Sequence, residues 1–411
     1  MDAAGTIAPQ DWMTAPETRA VVAALTAEGQ EVRFVGGCVR DALIGRRVKD
    51  IDIATPDPPE TVMALLRRAG LKAVPTGLEH GTVTAVSDHH PFEITTLRTD
   101  VETYGRRAKV AFTDDWAADA ARRDFTMNAL FCGPDGTVYD PFDGWRDLLA
   151  GRVRFVGDPD QRIREDYLRL LRFFRFHAHY GRGAPDPDGL AAAARHAAQL
   201  TSLAGERVHE ELGKLLAAGD PGDAARVMHA HSILAAVLPE ARRPETLAAL
   251  ARLEADCAVA PDVAWLEPDA VAVEALAERL RLSKRERKRL AAMAAPPVAV
   301  AADAAPASLR GPLYRQGAEA VRDLLLLDAA ARAAAGAPVP LETVRGGLAE
   351  IETWTPKRLP VGGRDVQALG VSAGPRTGAL LRAVEDWWIA EDFAPDRAAC
   401  LARLAELAAS E

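Results

Sequence analysis

The chain has 411 residues, too many for one simple hydrophobic core, so we expect two to four domains. Its 48% hydrophobic and 27% charged residues are typical of a soluble globular protein. The sequence contains no run of about 18 uncharged apolar residues, so we expect no membrane span. The net charge of −9 alone argues against nucleic-acid binding, but local basic strips occur at 40–49, 98–109, 122–123, 162–175 and 284–289.

Composition also bears on location. Residues 1–13 lack the basic and apolar regions of a signal peptide. The four cysteines are scattered and form no CxxC pair, which argues against a zinc knuckle or a disulfide framework. We therefore expect a cytoplasmic protein.

A glycine turn lies between the first predicted elements. The first elements are predicted as a helix, a strand and a second helix, over residues 11–30, 31–35 and 38–44. The turn is Gly36-Gly37, and Arg40 lies beside it in the second helix. Free N–H groups at a helix start favour an anion such as phosphate, although a lone glycine pair is more often only a turn.

A strand predicted over 50–54 carries Asp50 and Asp52. Side chains at i and i+2 of a strand share a face, so these carboxylates would lie together. Close carboxylates repel unless a cation neutralises them, and all-oxygen ligation favours Mg²⁺. A lone acid pair is more often a solvated strand edge, but its position beside a phosphate-binding turn favours nucleotidyl transfer.

The next segment extends a small α/β domain with a mixed sheet. An amphipathic helix and a β-hairpin are predicted over residues 59–69 and 80–98. Glu93 lies on the hairpin, where spacing alone predicts a solvated residue. Residues 99–115 are polar, basic and poorly periodic, which predicts a mobile loop. Its Arg106 and Arg107 are either a solvated face or an RNA contact.

Two polar motifs follow. The string RRDFTMNA places Arg123, Asp124 and Asn128 at helical spacing, which a surface cap would also explain. A strand–turn–strand is predicted over 138–144. The strongest helical pattern covers 161–180 and places four charged side chains on one face, which could be a face of ordinary ion pairs: Glu165, Asp166, Arg169 and Arg172.

The remainder of the chain is predicted to be helical. A helix over 205–216 precedes an Ala- and Leu-rich region that begins near residue 220. Lys284 and Arg285 begin a basic helix, where a solvated face and RNA contact are both open. Residues 359–381 predict a glycine turn followed by a helix start.

The string GGCVRDALIGRRVKDIDIAT at 36–55 resembles the head signature of the class II tRNA nucleotidyltransferase and bacterial poly(A) polymerase family. FEITTLRTD, RRDFTMNA and EDYLR match further family motifs in the same order, although Asp143 replaces a glycine in DPFDG. The resemblance implies an α+β fold with three parts. These are a mixed-sheet, polymerase-β-like nucleotidyltransferase head over 1–150, an all-α neck over 151–220, and a helical, tRNA-binding body and tail over 221–411.

The resemblance also implies roles for the motif residues. Asp50, Asp52 and Glu93 would be catalytic, with two Mg²⁺ ions held by Asp50 and Asp52. Phosphate and ribose would be bound by Gly36, Gly37, Arg40, Arg123, Asp124 and Asn128. The base would be selected by Glu165, Asp166, Arg169 and Arg172. Asp41 would orient Arg40, and Arg207 would give structural support. Outside the resemblance, RNA contact stays open beside a solvated face for Arg106, Arg107, Lys284 and Arg285.

The implied activity is addition of CCA to the 3′ end of tRNA from CTP and ATP, with no protein partner and no membrane. A loop at 99–115 favours complete CCA addition, since relatives that add only CC lack it. A poly(A) polymerase, an enzyme that adds only CC or only A, and a small-molecule nucleotidyltransferase stay open. A non-catalytic RNA-binding protein should have lost Asp50, Asp52 or Glu93, which are all present.

Overall fold

A computed structural model describes residues 1–104, 107–241, 243–257 and 270–409, without the side chains of 100–104, 107–109, 270 and 271. The chain divides into two units. The first comprises Met1–Gly219 and Arg226–Pro239, and the second comprises Asp220–Ala225 and Glu240–Glu411. The three-part division at residues 150 and 220 stays a prediction.

Eight strands of the described residues form one mixed sheet in the order β1-β10-β9-β2-β3-β6-β5-β4, and β7 and β8 pair separately. The strands are β1 (Ala3–Thr6), β2 (Arg33–Val35), β3 (Ile51–Thr55), β4 (Lys72–Gly77), β5 (Thr82–Ser87), β6 (His90–Thr96), β7 (Arg98–Tyr104), β8 (Arg107–Phe112), β9 (Phe131–Cys132) and β10 (Thr137–Tyr139).

Helices occupy most of the remaining described chain. Up to residue 216 they are α1 (Asp11–Thr14), α2 (Pro16–Thr26), α3 (Gly37–Leu43), α4 (Pro59–Arg68), α5 (Trp116–Ala121), α6 (Gly144–Ala150), α7 (Pro159–Glu165), α8 (Leu168–Tyr180), α9 (Pro187–His196) and α10 (Gly205–Leu216). Short 3₁₀ turns cover Leu78–His80, Thr126–Asn128, Ala197–Ser202 and Pro306–Leu309. The later helices are α11 (Pro221–Ala230), α12 (Ile233–Val237), α13 (Pro244–Asp256), α14 (Ala270–Arg279), α15 (Lys284–Ala294), α16 (Arg310–Gln316), α17 (Ala318–Ala334), α18 (Leu341–Thr353), α19 (Gly363–Ala368), α20 (Pro375–Ala390) and α21 (Arg397–Ala409).

The core of the first unit fixes which face of the sheet carries the acids. β3 pairs with β6 in parallel, and the register aligns Asp52 with Glu93. Ile53, the next residue of β3, is buried with Phe34 and Leu66 in the core beneath α2 and α4. Because strand side chains alternate, Asp52 projects from the opposite face to Ile53.

Several predicted elements are confirmed with shifted ends. The strand predicted over 50–54 is β3, so Asp50 lies just before the strand, and the hairpin over 80–98 is β5 and β6. The helix over 11–30 is wrong as one element, since α1 and α2 replace it. Strands β1, β4 and β9 lie where the sequence analysis predicts no strand, and 138–144 contains the end of β10 followed by the start of α6 instead of a second strand.

The prediction of a loop over 99–115 is wrong, because β7 and β8 form an antiparallel hairpin there. Arg98 pairs with Phe112 at its base, and the backbone N–H of Thr113 donates to Leu97 at 3.0 Å. Arg106 lies outside the described residues. Arg107 begins β8, and its side chain is also outside the described part.

The prediction of one helix over 161–180 is also wrong. Asp166 has an extended backbone, with φ −155° and ψ 108°, and separates α7 from α8. Its Oδ1 accepts a hydrogen bond from the N–H of Leu168 at 3.1 Å. A short acidic side chain that bonds a nearby backbone N–H competes with the helix at that point. Asp166 therefore leaves the common helical face predicted for the four charged residues.

The second unit is helical throughout its described residues, as predicted. Leu250, Leu325 and Val344 belong to one buried cluster, which joins α13, α17 and α18. Val366, Val384 and Leu404 belong to another, formed by α19, α20 and α21. Within the described residues, no helix combines the length and apolar character needed to cross a membrane.

Candidate active site

A cleft of about 430 Å³ in the first unit collects most of the predicted site residues. Its walls come from the turn before α3, the segment after α5, and the helices α8 and α10. The lining residues are Gly36, Gly37, Arg40, Asp52, Arg122, Arg123, Asp124, Asn128, Asp166, Leu168, Arg169, Arg172, Phe176 and Arg207. Residues from position 36 to position 207 therefore line one cleft.

Of the three predicted catalytic acids, Asp52 is the one that lines this cleft. Asp52 is half-buried and lines it, next to Glu93 in the register of β3 and β6. Asp50 and Glu93 are exposed and are not among the lining residues. In the described part of the chain, no group of three or more His, Cys, Asp and Glu residues is placed to hold a metal ion.

The electrostatics of Asp52 nevertheless fit a bound cation. Burial raises the pKa of Asp52 to about 6, and repulsion from the carboxylates of Glu93 and Asp50 adds to the rise. The guanidinium groups of Arg123 and Arg40 oppose it. A divalent cation would replace the repulsion among these carboxylates by attraction, and carboxylate oxygens are ligands that Mg²⁺ prefers.

The glycine turn brings Arg40 into the cleft. Gly36 has φ +70°, a backbone conformation that favours glycine. Arg40 is only 8% exposed and donates to Asn128 Oδ1 at 2.7 Å. Its Nε and Nη2 donate to the carboxylate of Asp41 at 3.0 and 3.2 Å. This two-point contact is the geometry expected if Asp41 orients Arg40.

Asp119 is a buried acid outside the predicted motifs that contacts two arginines of the cleft. It is 1% exposed, and its carboxylate forms ion pairs with Arg122 at 2.7 Å and Arg123 at 3.0 Å. Burial opposes ionisation of Asp119, but the two arginines lower the pKa of its carboxyl overall. Asp119 lies three and four residues before Arg122 and Arg123, a spacing that predicts ion pairs on one face of a helix. Asp119 holds both guanidinium groups at the cleft.

Asp124 connects the segment after α5 to α8. Its carboxylate accepts from Arg172 Nε at 2.7 Å and from Asn128 Nδ2 at 3.0 Å. Burial would raise the pKa of Asp124, but Arg172 and Asn128 lower it to about 2. Arg172 also pairs with buried Glu211 of α10 at 3.7 Å. These contacts support a bridging role for Arg172 as well as contact with a nucleotide.

Asp166 and Arg169 both line the cleft, and each is held by a neighbour. Asp166 accepts from Arg207 Nη2 at 2.7 Å. Arg169 pairs with Glu165, which also pairs with Arg162 at 3.0 Å. Glu165 does not line the cleft, so its contacts support positioning of Arg169 and not contact with a base. Arg207 does line it, which sequence reasoning did not predict.

The other predicted RNA contacts lie in the second unit. Lys284 and Arg285 are exposed at the start of α15, and Arg285 pairs with Glu319 of α17 at 2.6 Å. Ser283 caps this helix, and Glu286 returns the bond as a capping box. The basic side chains are therefore presented on a well-anchored helix end.

The cleft combines an acid on a sheet strand, Asp52, with arginines held by carboxylates and with Asp166 and Arg169 of the helical segment. This combination is typical of a nucleotidyltransferase head joined to helices. Residues 32–154 match the model of the poly A polymerase head domain. Residues 184–243 match a family described as a probable RNA- and SrmB-binding site of polymerase A.

Comparison with whole proteins is more specific. A CCA tRNA nucleotidyltransferase 1, mitochondrial, from Danio rerio is 35% identical over 386 residues, which cover 87% of this chain and 83% of the relative. A CCA-adding enzyme from Levilactobacillus brevis is 41% identical over 205 residues, covering 49% and 50%. The structure of a Bacillus stearothermophilus CCA-adding enzyme with CTP has a TM-score of 0.76 and 27% identity, covering 98% of this chain and 99% of that one. The chain belongs to the family of CCA-adding tRNA nucleotidyltransferases.

Proposed function

We propose that this chain adds C, C and A in order to the 3′ end of tRNA, using CTP and ATP and releasing pyrophosphate. The observation that carries the proposal is the shared cleft. Asp52, Arg40, Asp166 and Arg169 all line it, which supports contact of one nucleotide with the first two through its phosphates and with the last two through its base.

The base would be chosen by Asp166 and Arg169. Cytosine and adenine both present an exocyclic amine beside a ring-nitrogen acceptor, so a carboxylate can accept from the amine while a guanidinium donates to the nitrogen. Uracil and guanine present the opposite order. A fixed Asp–Arg pair would leave buried polar groups unpaired against them, a cost that supports strong rejection. Arg207 and Glu165 supply the fixing contacts.

The chain's own residues would orient the triphosphate. Arg40 is held by Asp41 and Asn128, and Arg123 is held by Asp119, so both guanidinium groups are preorganised to meet phosphate oxygens. Asp50 and Asp52 would hold divalent cations, Mg²⁺ by their oxygen chemistry and two in number by the family resemblance. Bound ions would activate the RNA 3′-hydroxyl and neutralise the leaving pyrophosphate.

The compartment is also part of the proposal. Cys38, Cys132, Cys257 and Cys400 are all free thiols, which fits a reducing compartment such as the cytoplasm. The Danio rerio relative carries a mitochondrial name, which is a property of that protein.

The test is single-turnover extension of a tRNA that lacks its last three nucleotides. We expect CTP alone to add two residues, CTP with ATP to add CCA, and ATP alone to add nothing. A long A ladder on unrelated RNA would instead establish a poly(A) polymerase, an activity that the matched head-domain description also suggests. Addition that stops at CC, or that gives only A, would identify a partial enzyme. Tight tRNA binding without extension would contradict the proposal.

A further inference from the structure

The last residue of α8 contacts the pair that orients Arg40. The hydroxyl of Tyr180 donates to Asp41 Oδ1 at 2.9 Å, and the same oxygen accepts from Arg40 Nε at 3.0 Å. The Cζ atoms of Arg40 and Arg46 lie 4.3 and 4.5 Å from the centroid of the Tyr180 ring. Tyr180 is therefore bound to the Arg40–Asp41 pair by its ring and by its hydroxyl.

A series of contacts also reaches Arg40 from near the start of the same helix. Arg172 bonds Asp124, Asp124 bonds Asn128, and Asn128 accepts from Arg40. Together with the Tyr180 contact, these bonds form a network that connects two positions of α8, Arg172 and Tyr180, which lie about two helical turns apart. Arg40, Asp124 and Asn128 of this network all belong to the predicted phosphate and ribose site, and Arg40 is the cation among these three.

We propose that Tyr180 is a positioning residue for nucleotide binding, acting through Asp41 to direct the Arg40 guanidinium at the nucleotide phosphates. This inference rests on the proposed function of the cleft. Arg169, which would contact the base, lies on the same helix as Arg172 and Tyr180. The network therefore connects the position of the base to the position of the phosphates.

The physical reason is preorganisation. An arginine side chain that is free in solution loses rotamer entropy when it binds phosphate, and a guanidinium already fixed by a carboxylate loses less. The carboxylate of Asp41 must itself be fixed for this to work. A hydroxyl that donates to a charged oxygen makes one of the stronger classes of hydrogen bond, so Tyr180 is suited to that task.

The test measures CTP affinity by calorimetric titration with Mg²⁺ and without RNA. Tyr180→Phe keeps the ring beside Arg40 and removes only the hydroxyl, so we expect the Kd to rise about threefold to tenfold. The Arg40→Lys variant lacks the guanidinium group that donates two hydrogen bonds to the Asp41 carboxylate. We expect adding Tyr180→Phe to that variant to change the Kd less than about twofold, because residues acting through one another are not additive.

Tyr314 offers a matched control in the second unit. Its hydroxyl also donates to a carboxylate, Glu385 Oε1, at 2.7 Å, so Tyr314→Phe should leave CTP affinity unchanged. Wild-type affinity in Tyr180→Phe would overturn the inference. So would the same loss in both backgrounds, or no CTP binding by the wild-type chain. RNA extension is measured separately, so failure to add CCA is distinguishable from failure of Tyr180 to position Arg40.

Discussion

Asp52 is a carboxylate in surroundings that oppose its charge. Its pKa in the folded chain, about 6, lies above the usual 3.8, so folding favours the protonated form. The stability that this provides is complete below about pH 3.8 and is lost as the pH rises through about 6. At neutral pH without metal, ionised Asp52 therefore destabilises the folded state.

Asp52→Asn should separate stability from activity. We expect extension to fall about a thousandfold or more, while the free energy of unfolding at pH 7.5 in EDTA rises by about 1 kcal/mol after solvent screening. Urea unfolding and single-turnover extension measure the two effects. Asp114→Asn, at an exposed position, is the control and should change neither. Retained activity, or a large loss of stability, would mean that the metal site is misplaced.

Asp124 shows the opposite shift, since its pKa of about 2 lies below the usual 3.8. Its stabilising contribution is complete above about pH 3.8 and is lost as the pH falls towards 2. We expect Asp124→Asn to lower the free energy of unfolding by about 2 kcal/mol at pH 7, since Arg172 then keeps only its longer contact with Glu211, at 3.7 Å. Urea unfolding at pH 7 and pH 3 should show the difference shrinking at the lower pH. An equal difference at both values would contradict this account.

At the scale of elements, the hairpin β7–β8 is a separable insertion. Arg98 and Phe112 pair at its base, so a short turn can join residues 98 and 112 without disturbing the main sheet. The family resemblance connects this segment with addition of the final A. We expect replacement of 99–111 by a Gly-Ser turn to retain CC addition and to lose A addition, measured by product length with CTP and ATP. Loss of both additions, or of neither, would contradict that assignment.

The same hairpin shows what periodicity leaves out. Its described pairing lies outside the main sheet, and its polar, basic sequence lacks the alternation of apolar and polar residues that identifies a strand. The break between α7 and α8 at Asp166 could not be predicted from periodicity for a different reason. The helix ends there because the side chain bonds Leu168 N–H and Arg207, and the second contact spans 41 residues of sequence.

Site residues are easier to predict from the sequence where they belong to short motifs. Gly36, Asp52 and Arg169 belong to short motifs whose residue types state their chemistry, and all three line one cleft. The register that aligns Asp52 with Glu93 follows from a parallel β3–β6 pair, which the sequence did not specify. Asp119 acts through two arginines and belongs to no recognised motif, so only the fold revealed it.

At the scale of the whole molecule, a net charge of −9 must coexist with binding of a polyanion. Local cations would then carry the affinity for tRNA, and that affinity should fall steeply with salt because counterions are released on binding. We expect the Kd for tRNA to rise at least about tenfold between 50 and 200 mM salt. The Kd for CTP should change much less. A salt-independent tRNA Kd would contradict electrostatic binding.

The exposed start of α15 provides a specific version of this test. The double substitution Lys284→Ala and Arg285→Ala should reduce the slope of log K against log salt by about one to two, if both side chains contact phosphates. Arg67→Ala with Arg68→Ala, at the exposed end of α4, is a control of equal charge and should leave the slope unchanged. Equal slopes in all three proteins would remove α15 from the RNA interface.

Base selection is tested by sequencing the nucleotides that are added when all four NTPs are present. We expect the wild-type chain to add only CCA to a tRNA that lacks its last three nucleotides. Asp166→Ala should incorporate U or G at the same positions, because the acceptor that rejects them is gone. Asp166→Ala with unchanged selectivity, or U and G added by the wild-type chain, would show that the Asp166–Arg169 pair does not choose the base.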